Sequence, residues 1–129
     1  MNNETTKIKA FTDLNTWKRA HELVLLVYKI SRNFPKDEQF GLTNQIRRAV
    51  VSVSSNIAEG FSRNSYKEKA QFYSMALGSL TEVQNQIIIA HDLLYITTME
   101  FDETQSLSVT TSKLLNGLIK KSRTLIHNS

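Results

Sequence analysis

The side chains in this sequence that are best suited to a chemical role are basic, and most lie near one predicted helix break. The candidate nucleic-acid-binding residues are Arg47, Arg48, Arg63, Tyr66, Lys67 and Lys69. Guanidinium and ammonium groups neutralise backbone phosphates, and a tyrosine ring offers a surface on which a base can stack. The pattern therefore predicts contact with RNA or another nucleic acid through its phosphates. The alternative is an ordinary solvated face, in which Arg47 or Arg48 forms salt bridges between subunits.

Residues suited to catalysis or metal binding do not form a recognisable pattern. The histidines, His21, His91 and His127, lie in separate segments, and none follows a glutamate by three residues as in di-iron bundles. The sequence has no cysteine, and no glycine-rich phosphate loop or nucleophile motif. Glu59 and Glu82 are the carboxylates expected nearest the core, where pairing with arginine is a simpler role than acid–base catalysis. We therefore expect no enzymatic activity, metal, cofactor or small-molecule substrate.

The composition favours a single all-α domain. The 129 residues include one proline and four glycines, so few residues would interrupt long helices. No window approaches the roughly 18 apolar residues of a membrane span, and the N-terminus lacks an apolar signal core. We expect a cytoplasmic protein with no membrane contact. Residues 1–69 carry twelve Lys and Arg against seven Asp and Glu, whereas residues 70–129 carry four against five.

Four helices are predicted to position these side chains. The clearest covers residues 40–61, where apolar residues recur at steps of three and four and so share one face. That face consists of Leu42, Ile46, Ala49, Val50, Val53 and Ile57. Residues 1–12 are expected to form a flexible tail, which leaves one four-helix domain over residues 13–127.

The first helix is predicted from Leu14 to about Arg32. Asp13 or Asn15 would cap its N-terminus, and Pro35 would end it. The short connection around the proline requires the second helix to fold back beside the first.

The third and fourth helices each begin with capping-box spacing, in which a hydroxyl and a glutamate three residues later satisfy free backbone N–H groups. The pairs are Ser65 with Glu68 and Thr97 with Glu100. Gly78 would let a neighbouring helix approach the third helix. The apolar seam of the fourth helix is predicted to be Phe101, Leu107, Leu114, Leu118 and Leu125, and the cations in its last turns, Lys120, Lys121 and Arg123, suit the helix dipole. Short links predict an up-down-up-down antiparallel four-helix bundle.

The third helix has more apolar residues than a lone bundle requires. Its isoleucine run at 87–89 places branched side chains on three sides of the helix. Exposed apolar patches usually mark interfaces, so self-association is predicted. The predicted oligomer interface comprises Met75, Ile88, Ile89, Leu93 and Ile96. The alternative is a wider core that is packed by the N-terminal tail.

Seven short segments together carry a family pattern. They are residues 14–20, 34–36, 40–42, 45–49, 55–60, 76–80 and 114–119. The most specific are Ile46-Arg47-Arg48-Ala49 and Ser55-Asn56-Ile57-Ala58-Glu59-Gly60. The pattern resembles the bacterial four-helix-bundle proteins encoded within intervening sequences of 23S ribosomal RNA genes, over roughly residues 12–123. The resemblance implies a homopentamer of four-helix protomers with no established catalytic activity.

A similar fold serves as the accessory variability protein of diversity-generating retroelements, where a basic pentamer works with a reverse transcriptase and nucleic acid. The resemblance therefore implies RNA or a nucleic-acid-processing enzyme as a partner. The leading hypothesis is a non-enzymatic, self-assembling bundle that contacts nucleic acid or such an enzyme through a basic surface. The alternative is a purely structural oligomer or protein–protein adaptor.

Overall fold

The computed structural model describes residues 7–128. Over this range the chain forms four helices and two short 3-10 turns, and no strand. The elements are a 3-10 turn Phe11–Asp13, α1 Asn15–Ser31, a 3-10 turn Lys36–Glu38, α2 Leu42–Ser62, α3 Tyr66–Asp92 and α4 Thr98–Asn128. The all-α prediction is confirmed. None of these helices has the length and apolar character needed to cross a bilayer.

Each helix packs against its neighbour in sequence, and α4 also packs against α1. In the diagonal pairs, α1 with α3 and α2 with α4, no Cα atoms of described residues lie within 8 Å of each other, as expected for a four-helix bundle. Contacts between α2 and α3 join late residues of one to early residues of the other: Gly60 lies against Tyr73, and Ser52 Oγ lies 2.9 Å from Ser79 Oγ. These two helices therefore run in opposite directions. The up-down-up-down order of all four helices stays a prediction.

The apolar face predicted for α2 is confirmed, because all six of its residues are buried. They meet buried aliphatic side chains from the neighbouring helices, among them Leu23 and Val27 of α1 and Leu80, Val83 and Ile87 of α3. Burying one such side chain contributes about 1.5–3 kcal/mol relative to leaving it exposed. This shared core is the main force that holds the helices together.

The buried face of α4 is not the predicted one. The five residues of the predicted seam are only half-buried, whereas Thr104, Ser108 and Thr111 are completely buried. Each of these hydroxyls donates to a backbone carbonyl one turn earlier; Thr111 Oγ1, for example, lies 2.8 Å from Leu107 O. A hydroxyl that is bonded in this way can be buried at little cost. Leu115 and Ile119 are buried beside them, and Phe101, Leu107 and Leu118 of the predicted seam pack against this core. The predicted seam therefore lies at the edge of the buried face and not at its centre.

The two predicted capping boxes differ in the structure. At α4 the box is complete: Thr97 N donates to Glu100 Oε1 at 2.9 Å, and Glu100 N donates to Thr97 Oγ1 at 3.1 Å. At α3, Glu68 N donates to Ser65 Oγ at 3.1 Å, but the Glu68 carboxylate accepts from the Ser65 hydroxyl instead of its backbone N–H. The α3 box is therefore only half formed.

The prediction that Asp13 or Asn15 caps α1 is wrong. Leu14 occupies the cap position and makes no side-chain bond there. Asp13 Oδ2 instead accepts from the backbone N–H groups of Lys9 and Ala10, each at 2.9 Å. Residues 11 and 12 of the predicted flexible tail thus belong to a 3-10 turn, which packs on α1 and α2. Residues 1–6 lie outside the described part of the chain.

The close approach of two helices occurs at Gly60 and not, as predicted, at Gly78. A Cβ atom on Gly60 would lie 2.7 Å from Tyr73 Cε1 and 3.1 Å from Phe72 Cβ. No atom lies within 4 Å of the corresponding position on Gly78. The absence of a side chain at Gly60 therefore allows the end of α2 to pack directly on the first turns of α3.

Candidate nucleic-acid interface

The six residues predicted to bind nucleic acid divide into two groups. Arg47 and Arg48 lie near the start of α2, whereas Arg63 directly follows its last residue. Sixteen residues of helix at 1.5 Å each separate Arg47 from Arg63 by about 24 Å. The prediction that all these residues surround the α2–α3 junction is therefore wrong for Arg47 and Arg48.

The two adjacent arginines have different environments. Arg47 Nε donates to Ser31 Oγ at 2.8 Å, and its guanidinium carbon lies 4.8 Å from the centre of the Tyr28 ring. Arg47 therefore fastens α2 to the end of α1. Arg48 is the solvent-facing member of the pair, and it makes no hydrogen bond or ion pair with any described residue.

Arg63 is compensated by acidic neighbours. Its guanidinium lies 2.8 Å from a Glu59 carboxylate oxygen and 3.7 Å from one of Glu68, and it covers the Phe72 ring at 4.5 Å. Glu59 is exposed, as is Glu82, so the expectation that these two carboxylates lie near the core is wrong. Most of the charge of Arg63 is already balanced within the protomer.

Lys69 has a structural partner that the sequence does not reveal. Its Nζ donates to the carbonyl oxygens of Phe61 at 2.6 Å and Gly60 at 3.4 Å. These carbonyls belong to the last turn of α2, where backbone acceptors lack intrahelical partners. Partial burial lowers the pKa of the Lys69 ammonium group. Lys69 therefore caps the C-terminal end of α2, and a phosphate would have to compete with these carbonyls for its ammonium group.

Lys67 and Tyr66 stay exposed, and the end of α4 brings further cations to them. Lys67 and Arg123 line one groove between α3 and α4, and Tyr66 and Lys121 line the next. Sequence reasoning missed Lys121 and Arg123 because more than fifty positions separate them from Lys67. The signal was available in the predicted antiparallel order, which places the end of α4 beside the start of α3.

We use the term basic end for the end of the bundle where α2 and α4 terminate and α3 begins. Its exposed cations without an ion-pair partner in the described range include Lys67, Lys121 and Arg123. The acidic end is the region around the hydrogen bond between Tyr95, which follows α3, and Glu38, which precedes α2. It carries the carboxylates of Asp37, Glu38, Asp92, Glu100, Asp102 and Glu103, together with the cations Lys29, Arg32, Lys36, Arg47 and Arg48.

The carboxylates of the acidic end help to join its two loops. Tyr95, which follows α3, donates its hydroxyl to Glu38 Oε2 at 2.8 Å, and Leu42 N donates to Glu38 Oε1 at 3.0 Å. The Leu42 N–H and the Tyr95 hydroxyl lower the pKa of the Glu38 carboxyl. The same bond raises the pKa of the Tyr95 hydroxyl. Glu38 therefore acts as a cap for α2 and as a link to the loop after α3.

Four of the five predicted interface residues, Met75, Ile88, Ile89 and Leu93, are exposed. Met75, Ile89 and Leu93 share one side of α3, because spacings of fourteen and four residues return to the same face. The prediction is wrong for Ile96, which is only 6% exposed and packs in the core.

The reason for the error at Ile96 is the turn that ends α3. The helix finishes just before Leu93, and Leu94 adopts a positive φ of 64° that reverses the chain. Ile96 is therefore not on the outer face of α3, although helical spacing continued from Leu93 would place it near that face.

The histidines serve as packing partners where their side chains are described. His21 stacks on Trp17 with ring centres 4.7 Å apart, and His91 stacks on Phe101 at 4.3 Å. The side chain of His127 lies outside the described residues. Within the described part of the chain, no three His, Asp or Glu side chains are grouped as ligands for a metal ion.

The fold and the sequence both have known relatives. The family model described as 23S rRNA-intervening sequence protein matches residues 12–117. The crystal structure at 1.70 Å of a protein with unknown function from the S23 ribosomal protein family of Bacteroides thetaiotaomicron VPI-5482 is similar, with a TM-score of 0.73 and 23% identity, over 81% of this chain and 98% of that one. No curated protein matches. Since the family match covers most of the chain, this protein belongs to the 23S rRNA-intervening sequence protein family.

Proposed function

We propose that this protein is a non-enzymatic, self-assembling bundle that contacts RNA phosphates through its basic end. The observation that carries the proposal is the meeting of Lys67, Lys121 and Arg123 beside the exposed ring of Tyr66. None of the three cations has an acidic partner among the described residues. Such cations can bind phosphate and release its counterions without first breaking an internal contact.

The remaining basic candidates are less suitable for this role. Arg47, Arg63 and Lys69 already have partners within the protomer, so a phosphate would have to displace those contacts. Arg48 is free, but it lies about 24 Å from the basic end along α2. The proposal therefore assigns the RNA contact to the α3 start and the α4 end.

Self-assembly would strengthen a contact that is weak in one protomer. Three free cations supply few phosphate contacts, but several linked copies present several basic ends to one RNA and raise the overall affinity. The family resemblance implies a pentamer, for which light scattering on a sizing column should report about five times the 14.7 kDa protomer. A monomer at micromolar concentration would contradict this part of the proposal.

The test of RNA binding is a salt series with a structured RNA. The logarithm of the affinity should fall linearly with that of the salt concentration, with a slope of roughly −0.7 to −0.9 per phosphate contact. Replacing Lys67 and Arg123 with alanine should reduce the magnitude of the slope by about 1.4–1.8 for each protomer that contacts the RNA, since each such protomer loses two contacts. The matched control is Lys29→Ala with Lys36→Ala, which removes two exposed cations at the acidic end. Equal slopes in the two double variants would contradict the proposal.

A purely structural oligomer or protein–protein adaptor is the second candidate function. The specific observation that favours it is the exposed apolar side of α3, formed by Met75, Ile89 and Leu93. Under this alternative, Ile89→Glu abolishes association, and no RNA binding is found at any salt concentration. Val109→Glu on α4 is a suitable control because Val109 is similarly exposed.

A further inference from the structure

A groove at the basic end has the composition of a binding site for part of a ligand. We call it the tyrosine groove; it lies between the end of α2, the start of α3 and the end of α4, with a volume of about 290 Å³, and Ile8 and Leu14, which precede α1, also line it. Its lining includes Phe61, Tyr66, Tyr73, Leu118 and Leu125. Lys121 also lines it and has no ion-pair partner among the residues that the structure describes. The groove therefore combines aromatic and aliphatic surface with a free cation.

Two hydroxyl groups open onto this groove from residues that are otherwise buried. Tyr73 is 3% exposed and Ser122 is 5% exposed, but their hydroxyl oxygens reach the surface, and neither makes a hydrogen bond to any described residue. Both hydroxyls can therefore bond a ligand in the groove without breaking a contact within the protein.

We infer that the tyrosine groove takes an unpaired nucleobase of the bound RNA, with the adjoining phosphate on Lys121. The inference rests on the proposed function and names the part of the RNA that this end recognises. A base has a flat face for Phe61 or Tyr66 to stack against, and it has polar edge atoms for the hydroxyls of Tyr73 and Ser122.

Simpler ligands meet only part of this chemistry. An inorganic phosphate would pair with Lys121 but leave the aromatic surface uncovered. A fatty acid would cover the apolar surface and pair its carboxylate with Lys121, but its chain would lie over the hydroxyls of Tyr73 and Ser122 without forming a hydrogen bond to them. A base linked to a phosphate satisfies all three features of the groove.

Lys69 defines one wall of the groove and does not bind the phosphate. Its ammonium group is held by the carbonyl oxygens of Phe61 and Gly60, which fixes the end of α2 against the start of α3. Gly60 in turn lies against the Tyr73 ring. The groove is thus built on packed helix ends, and the base enters a site whose walls are already in place.

The test compares two single-stranded RNAs of about ten nucleotides, one an oligouridine and the other of equal length and charge with abasic riboses. We expect the oligouridine to bind about tenfold more tightly at low salt, since stacking of each base is worth about 1–3 kcal/mol. Tyr66→Ala should remove most of this preference. Tyr73→Phe keeps the ring but removes the hydroxyl, and it should weaken oligouridine binding severalfold while abasic RNA binding stays unchanged.

Lys67→Ala is the control within the basic end, because Lys67 lines the neighbouring groove. It should weaken the binding of both RNAs by the same factor. Circular dichroism should show that every variant keeps its helical content. Equal affinity for the two RNAs, with salt-dependent binding intact, would overturn the groove assignment and leave the proposed function standing. Failure of both RNAs to bind at low salt would overturn the two proposals together.

Discussion

Both ends of this bundle consist of packed helix ends, but the charged side chains at the two ends have different roles. At the acidic end, Glu38 caps α2 and accepts the Tyr95 hydroxyl, and Glu100 completes the cap of α4. At the basic end, Arg63 and Lys69 serve the fold in a similar way. Lys67, Lys121 and Arg123 make no such contact among the described residues.

Some charged side chains stabilise the fold through internal contacts, whereas others make no internal contact and are free to bind a partner. A carboxylate that caps a helix cannot be removed without loss of stability. An exposed cation without a partner contributes little to stability, so its removal should change binding alone. The comparison therefore predicts opposite consequences for substitutions at the two ends.

The largest effect is expected from charge reversal at the basic end. Lys121→Glu with Arg123→Glu replaces attraction to phosphate with repulsion, and we expect RNA affinity at low salt to fall by about tenfold or more. The melting temperature should fall only slightly, because the new carboxylates lie near the negative end of the α4 dipole. Fluorescence polarisation with a labelled RNA measures the affinity. Lys29→Glu with Lys36→Glu changes the net charge equally at the acidic end. An equal loss in this control would show that overall charge, and not the basic end, governs binding.

Gly60→Ala should produce the largest change in stability. The added Cβ would lie 2.7 Å from a carbon of the buried Tyr73 ring, and overpacking of this kind typically costs about 1–3 kcal/mol. Gly117→Ala is the control, because no atom lies within 4 Å of its Cβ position; in an exposed helix it should stabilise by roughly 0.5–1 kcal/mol. Urea unfolding measures both. A Gly60 variant as stable as the wild type would show that the ring can move freely.

Leu94→Gly should stabilise the acidic end. Leu94 has a φ of 64°, and the bonds Tyr95 N to Ala90 O (2.9 Å) and Leu94 N to His91 O (3.0 Å) are those of a Schellman motif. Glycine adopts a positive φ without the strain that leucine has there, but it loses more backbone entropy on folding. We expect a net gain of about 1 kcal/mol in the free energy of unfolding. A loss of stability would show instead that the exposed leucine makes a contact in an assembly.

The smallest effect is a pH-dependent contribution from Glu38. Its folded-state pKa is lowered by the Leu42 N–H and the Tyr95 hydroxyl. Its contribution is therefore complete above the unfolded pKa, about 4.3, and disappears as the pH falls through the lower folded value. The difference in melting temperature between the wild type and Glu38→Gln should be constant from about pH 8 to pH 6 and shrink below about pH 4.

Asp37→Asn removes a neighbouring carboxylate that accepts no hydrogen bond from the described residues. Its difference in melting temperature from the wild type should not show the pH dependence expected for Glu38→Gln. If the stability difference for Glu38→Gln were the same at pH 3 and pH 7, the carboxylate would have no role as an ionised cap.

The sequence is sufficient to predict the helices and the buried face of α2. The regular spacing of apolar residues specifies that face directly. The buried face of α4 is not predictable in the same way, because Thr104, Ser108 and Thr111 become compatible with the core only through bonds to their own helix. Ile96 was misplaced because a leucine, not a glycine, adopts the turn that ends α3.

The candidate site was only partly predictable because its residues are selected by tertiary contacts. Lys67 and Lys69 are two positions apart, but only Lys69 reaches the carbonyls at the end of α2. Lys121 and Arg123 join the site because α4 returns to the start of α3. The residues next to Lys69 in the sequence do not indicate that it bonds the carbonyls at the end of α2. Those next to Lys67 do not indicate that Lys121 and Arg123 lie nearby.

The most direct test of the central claim is lysine acetylation of the protein with and without bound RNA, measured by mass spectrometry. Lys67 and Lys121 report on the basic end, and Lys29 and Lys36 report on the acidic end; all four are exposed. We expect RNA to slow acetylation at Lys67 and Lys121 and to leave Lys29 and Lys36 unchanged. Equal protection at both ends, or protection only at Lys29 and Lys36, would contradict the assignment of RNA contact to the basic end.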